Sequence, residues 1–387
     1  MKPAAREPAP HRYRAVGGQW LVTNDVGGYV FLTASEFEAW HAGQLEGAAL
    51  ERLRQAGLVG TAYEVDAAAA RLCRRKEYLS AGPYLHIFVV SLRCNQHCSY
   101  CHASRASIKS TGHDMSPDVA DRCLDLAFCS PSPHINIEFQ GGEPLVNWDV
   151  VRHIVEGAVR RNREARRELS FSLVTNLSLM DEAKLEFILE RGIQVCTSLD
   201  GPEPLHNRNR KWSEGNAHAA TVEWMKRIND AYVDRGLDPN LYHVEALLTV
   251  TRASLKYPVE IVDEYVRQGL KGLFLRPLNP FGFAARIDEK IGYPAREFMP
   301  FYRQALDHIL DLNRQGVEIM ERWATIFLAK ILTDQDPNYV DIRSPCGAGI
   351  GQVAYNYDGR VFPCDEARML HQMGDSAYLI GIASELT

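Results

Sequence analysis

Apolar and polar positions along this chain follow two rhythms, and their order predicts its architecture. Near the N-terminus, Gln19-Trp20-Leu21-Val22-Thr23 and Tyr29-Val30-Phe31-Leu32 are short apolar runs separated by Asn24 to Gly28, the pattern of a hairpin. Thr33 or Ser35 can cap a helix through Phe37 and Trp40, and Leu50, Leu53 and Val59 mark a second helix around Gly57. Residues 61–80, rich in Ala and charge, read as a linking helix. From residue 85 onward strands and helices alternate. Strands are predicted over 87–90, 135–139, 171–176, 193–199, 244–251 and 273–277. Helices are predicted over 116–129, 150–167, around Leu185 and Ile188, and over 259–267, 297–315 and 320–332. That alternation is the signature of a parallel sheet covered by helices. A last hairpin turns at Asp358-Gly359, between Tyr355-Asn356-Tyr357 and Arg360-Val361-Phe362. The predicted organisation is an N-terminal α+β module over 1–80, a parallel α/β barrel over 81–335 and a hairpin segment over 336–387.

Composition narrows the function classes without choosing one. The chain has 387 residues, 46% hydrophobic and 24% charged, so a folded protein with one large core is expected. Its net charge is −6 and it has no dense basic block, which argues against a nucleic-acid partner. No apolar run is long enough for a membrane span, and the N-terminus lacks a signal-peptide core. The nine cysteines are clustered rather than spread as a disulfide framework, which places the chain in a reducing cytoplasm.

The candidate chemistry begins at Cys94-Asn95-Gln96-His97-Cys98-Ser99-Tyr100-Cys101, directly after the strand Ile87-Phe88-Val89-Val90. Three thiols at C-x3-C-x2-C spacing can wrap one soft metal centre. Three protein ligands leave a cubane of four irons with one iron free for a substrate, whereas a structural zinc site asks for four ligands. His97 or His102 could complete a zinc site, so both readings stand on spacing alone. Gln140-Gly141-Gly142-Glu143-Pro144 ends the second predicted strand: paired glycines permit a close ligand, with an acceptor beside it. Cys123, Cys129 and Cys196 read as core cysteines.

The cysteine loop, with Tyr100 before its third thiol, resembles the cluster motif of the radical S-adenosylmethionine (SAM) enzymes. The resemblance implies that Cys94, Cys98 and Cys101 hold a 4Fe–4S cluster whose free iron binds SAM, and that reductive cleavage of SAM yields a 5′-deoxyadenosyl radical. Gly141, Gly142 and Glu143 resemble the segment that binds the methionyl ammonium. Ser198-Leu199-Asp200-Gly201-Pro202, on through His206 to Arg210, resembles a segment of the peptide-modifying branch, which implies that Ser198 and Arg210 contact SAM. The implied fold is a partial (β/α)6 TIM-type barrel.

Cys346 and Cys364 flank the last hairpin as C-x12-G-x4-C, which resembles the opening of a SPASM domain and implies a possible auxiliary 4Fe–4S cluster. No cysteine follows Cys364, so the remaining ligands of that pattern are lacking and the chain reads as cut short. Asp365 resembles the aspartate that takes a substrate proton in sulfatase-maturing relatives; the alternative is a cap for the following turn. The N-terminal hairpin and helices resemble a leader-peptide recognition module, with a packing extension as the alternative. Together these features look most like the maturase of the His-Xaa-Ser peptide system. They imply a precursor peptide substrate, an electron donor such as flavodoxin or ferredoxin, and installation of a cross-link. A sulfatase-maturing enzyme is the enzymatic alternative, and a zinc-stabilised peptide-binding scaffold the non-enzymatic one.

Overall fold

A computed structural model describes residues 8–60, 65–333, 336–337, 339 and 342–386, and the chain divides into two compact units. The first comprises Met1–Ser80 with Phe327–Asn338, the second Ala81–Ile326 with Tyr339–Thr387. Residues 327–338 therefore group with the N-terminal part, whereas the sequence assigns 327–335 to the barrel and 336–338 to the hairpin segment.

In the first unit, β1 (Arg12–Val16), β2 (Gln19–Thr23) and β3 (Tyr29–Leu32) form an antiparallel sheet in the order β1-β2-β3. The β2–β3 hairpin is the one predicted; β1, exposed along its whole length, has no apolar alternation to announce it. Helix α1 (Ala34–His41) starts at Thr33, whose hydroxyl accepts the Glu36 N–H while Glu36 reaches back to the Thr33 N–H. Helix α2 (Gly47–Gln55) ends before Gly57, so Leu58 and Val59 follow the helix rather than continue it. Trp40, Leu50, Leu53, Leu58 and Val59 close a small core over Val22, Val30 and Leu32. Helix α3 (Val65–Arg75) carries the predicted linking helix, whose residues 61–64 lie outside the described ones.

The second unit is built on β4 (Leu85–Ser91), β5 (Arg93–Cys94), β6 (His97–Cys98) and β7 (Ala106–Ser107), then α4 (Pro117–Phe128) and β8 (His134–Gly141). It continues through α5 (Trp148–Ala165), β9 (Glu168–Val174), α6 (Glu182–Arg191), β10 (Ile193–Ser198), α7 (Glu203–Asn209), β11 (Arg210–Lys211) and α8 (Ala217–Asp234). Next come β12 (Glu245–Val250), α9 (Pro258–Arg267), β13 (Gly272–Leu273), β14 (Leu275–Pro277), α10 (Gly282–Arg286), α11 (Asp288–Ile291), α12 (Ala295–Arg314) and β15 (Met320–Glu321). The chain closes with α13 (Arg322–Leu332), β16 (Gln352–Tyr355), β17 (Arg360–Phe362), α14 (Asp365–Gln372) and β18 (Gly381–Ile382).

Six of these strands, β14-β12-β10-β9-β8-β4, run parallel and in sequence order, the half-barrel predicted. The final hairpin lies in the same nine-stranded sheet: β16 pairs parallel with β4, and β17 and β18 follow. Alternation divides each strand between two environments. Ile135, Ile137 and Phe139 of β8, Phe171 and Leu173 of β9, and Ile193 and Val195 of β10 are buried in the main core. Their opposite face carries Asn136, Glu138, Gln140, Ser172, Cys196 and Ser198, and is therefore polar. Among the described residues no helix is long and apolar enough to cross a membrane.

Candidate active site

The cysteine loop is pinned where strands end. Cys94 pairs with Ser107 across β5 and β7, and Cys98 pairs with Arg210 across β6 and β11. Cys94 is buried, while Cys98 and Cys101 are partly exposed. Backbone bonds tighten the loop: the Cys101 N–H donates to the Cys98 carbonyl at 3.2 Å, and the Ser99 N–H to the Asn209 carbonyl at 2.8 Å. Two thiol sulfurs receive donors. The Gln96 N–H lies 3.4 Å and the Asn176 amide 3.8 Å from Cys94 Sγ; Arg210 Nη1 lies 3.8 Å from Cys98 Sγ.

Gly141 ends β8 and Gly142 follows it, alongside the end of β4 and the entry to this loop. A Cβ on Gly141 would lie 2.1 Å from the Ser91 carbonyl oxygen, and one on Gly142 2.4 Å from that of Leu92. The close approach that requires glycine here is to the chain's own backbone, not only to a ligand. The Gly142 N–H donates to Ser91 O and the Glu143 N–H to Arg93 O, each at 2.8 Å. Glu143 is buried, and its carboxylate accepts from Leu145 N–H (3.0 Å), Thr175 Oγ1 (2.7 Å) and Asn176 N–H (2.8 Å). Burial pushes its pKa up while these donors pull it back. Three of about four carboxylate lone-pair positions are thus occupied, leaving roughly one for a ligand.

Across the loop, the Tyr100 hydroxyl donates to both Asp200 oxygens at 2.8 Å. Arg210 Nε is 3.4 Å from Asp200, and its guanidinium lies over the Tyr100 ring, 5.3 Å from the centroid. The Asp200 N–H donates to His206 Nδ1 at 3.3 Å. Burial raises the Asp200 pKa, and the Arg210 charge opposes the rise. The Arg210 side chain therefore faces Cys98, Tyr100 and Asp200. Ser198 ends β10 on the polar face of the sheet, paired in register with Leu247. Thr175 and Asn176 escape the motif reading, and Asp200 lies inside the quoted Ser198–Pro202 segment without a role assigned to it. All three follow strand ends, which is where a parallel barrel gathers its site.

At the last hairpin, Cys364 rather than Asp365 caps α14: its sulfur accepts the Ala367 N–H at 3.4 Å. This corrects the alternative in which Asp365 is the cap. Asp365 is buried in the first turn and pairs with buried Arg368 at 2.7 Å. Cys346 is exposed; the segment after it meets the hairpin through Gly349 N–H to Pro363 O at 2.8 Å. Cys123 is buried as predicted, but Cys129 is exposed at the C-cap of α4 and Cys196 is partly exposed on the polar strand face.

The three thiols fit a 4Fe–4S cluster in kind. They come from one loop, none is in a disulfide, and N–H donors already address two of the sulfurs. Among the described residues no three His, Cys, Asp or Glu side chains are gathered to hold a single metal ion. A cluster asks for less convergence, because each thiolate binds its own iron.

Comparison with known proteins gives the following. The radical SAM superfamily model matches residues 88–244. A cysteine-type anaerobic sulfatase-maturating enzyme of Clostridium perfringens is 25% identical over 281 residues, covering 70% of this chain and 71% of that one. The structure of anSMEcpe with bound AdoMet superposes with a TM-score of 0.62 at 22% identity, over 78% of each chain. Streptococcus suis SuiB bound to its precursor peptide SuiA superposes with a TM-score of 0.53 at 13% identity, over 96% of this chain and 85% of that one.

Proposed function

We propose, from the premise that the chain is a radical SAM enzyme with its family domain at residues 88–244, that it abstracts hydrogen from a ribosomally made peptide and installs a cross-link. The observation that carries this reading is the cysteine loop at the mouth of the six-strand half-barrel, with Asn176 and Arg210 donating toward two of its sulfurs. Cys94, Cys98 and Cys101 would hold the 4Fe–4S cluster, and SAM would lie against Gly141 to Glu143, Ser198 and the Tyr100 face. When bound and reduced by one electron, that pair supplies a 5′-deoxyadenosyl radical. The protein's part is to hold and to exclude. Glu143 ties the ends of β8 and β9 together, and the Tyr100–Asp200–Arg210 group fixes a cation beside Cys98. The polar strand face would offer donors and acceptors to a peptide backbone.

Closing a bond after hydrogen-atom loss also requires removal of a proton and of one electron; the electron would pass to an iron–sulfur cluster, and Asp365 is the carboxylate proposed for the proton. Its partner Arg368 keeps the anion in place. Asp365→Asn is expected to cleave SAM without releasing modified peptide; full peptide turnover by this variant would leave Asp365 a purely structural partner of Arg368. The similarity to the Clostridium perfringens maturating enzyme favours a second reading, oxidation of a Cys or Ser to formylglycine. A hydrazide probe separates the two. A trapped aldehyde on the peptide indicates formylglycine, whereas a hydrazide-silent product that resists proteolysis at one site indicates a cross-link. The N-terminal unit is proposed to bind the leader by adding a strand at an edge of its three-stranded sheet, β1 or β3.

A further inference from the structure

A cavity of about 430 Å³ opens beside the cysteine loop, within the second unit. Ser99 of the loop forms part of its wall, and Arg208, Lys211, Arg252, Lys256 and Lys290 surround it. No Asp or Glu lines it among the described residues. Arg252 pairs with Glu297 at 2.8 Å, but Arg208, Lys211, Lys256 and Lys290 have no carboxylate partner among the described residues. In a chain of net charge −6, this gathering of cations is local and one-signed. Like charges around a concavity repel one another unless an anion occupies it, and they raise the arrival rate of an acidic partner.

Position says which anion. The wall residue Ser99 follows Cys98, and Lys211 neighbours Arg210, whose guanidinium addresses Cys98 Sγ. The β6–β11 ribbon is thus shared: Lys211 faces the cavity and Arg210 faces the thiol. The proposed function needs one electron from outside for each SAM cleaved. We propose that this basic cavity is the docking socket for an acidic electron-transfer protein, which is oxidised by one electron as the cluster is reduced by one. The proposal rests on the radical SAM reading of the cysteine loop.

The test uses the full chain carrying Lys256→Gln and Lys290→Gln, two exposed cations outside the cysteine loop and its hydrogen-bonded partners. SAM cleavage is measured with dithionite and with reduced flavodoxin as the acidic probe. Flavodoxin binding to the cluster-free protein is measured by calorimetry. The expected result is an unchanged dithionite-supported rate, with flavodoxin affinity and flavodoxin-supported rate each down about tenfold and less sensitive to salt. Equal flavodoxin binding and rate in variant and parent would overturn the proposal. So would a matching fall with dithionite, which would make the cavity part of the SAM site. If the parent itself fails to cleave SAM with dithionite, the radical SAM reading fails first, and the docking proposal falls with it.

Discussion

Asp200 is the residue on which the site's electrostatics turn. It is fully buried, takes both bonds from Tyr100 and is the counter-ion of Arg210. Removing one member of a buried pair strands the other charge, which costs about 3–5 kcal/mol. Asp200→Ala is therefore expected to lower stability by that amount in urea titrations. Tyr100→Phe removes only hydrogen bonds to a charged group and should cost about 1.5–3 kcal/mol. Equal losses would mean that Arg210 is not paired as described. His86 offers a pH-dependent check of the core. Burial on β4 lowers its pKa from 6.5 to about 4, with Nδ1 3.1 Å from the Tyr355 hydroxyl. The unfolded chain thus takes a proton below 6.5 that the folded chain refuses, so stability falls as pH drops from 6.5 toward 4. At pH 5 the loss relative to pH 7 is about 2 kcal/mol, and His86→Gln should remove that share of it.

At the scale of elements, the half-barrel brings the end of β8 close against the backbone of residues 91–93, at the cysteine loop's entry. Gly142→Ala would drive a methyl to 2.4 Å from the Leu92 carbonyl oxygen, a backbone atom that cannot step aside alone. The loop should shift, and the apparent affinity for iron on anaerobic reconstitution should fall roughly 5- to 150-fold, since overpacking of this kind costs about 1–3 kcal/mol. The N-terminal unit has a small core of its own in Trp40, Leu50 and Leu53 beneath β2 and β3. Deleting residues 12–60 is expected to weaken precursor-peptide binding while uncoupled SAM cleavage continues. Unchanged peptide modification would return the unit to a packing role. What the sequence made legible at this scale was whatever repeats with a fixed period. All six barrel strands and the Asp358-Gly359 turn announced themselves through apolar runs and turn residues. Strand β1 and helix α8 did not. The first is exposed throughout; the second does carry a stripe at helical spacing, Ala217, Thr221, Met225, Ile228 and Tyr232, but two of its five positions are a small and a polar residue, which weakens the apolar signal.

For the molecule as a whole, the cysteine motif carried the cofactor, but the groups around it emerged only in three dimensions. Thr175 and Asn176 follow β9 and Asp200 follows β10, and no local pattern joins these strand ends to Cys94 or Cys98. The cap at Cys364 was likewise hidden, because a thiol is an unusual N-cap where Asp stands next to it. The similarity to a sulfatase-maturating relative supports the radical reading, while the proposed peptide substrate and the bond formed on it depend on the shape of the loops around the site. The central claim is that one loop's three thiols hold the cluster that cleaves SAM. Anaerobic reconstitution of the full chain, followed by reduction with SAM present, tests it directly. The account predicts about four irons per chain and formation of 5′-deoxyadenosine, both abolished when Cys94, Cys98 and Cys101 are replaced together by Ala. Iron retention and SAM cleavage by that triple variant would contradict it.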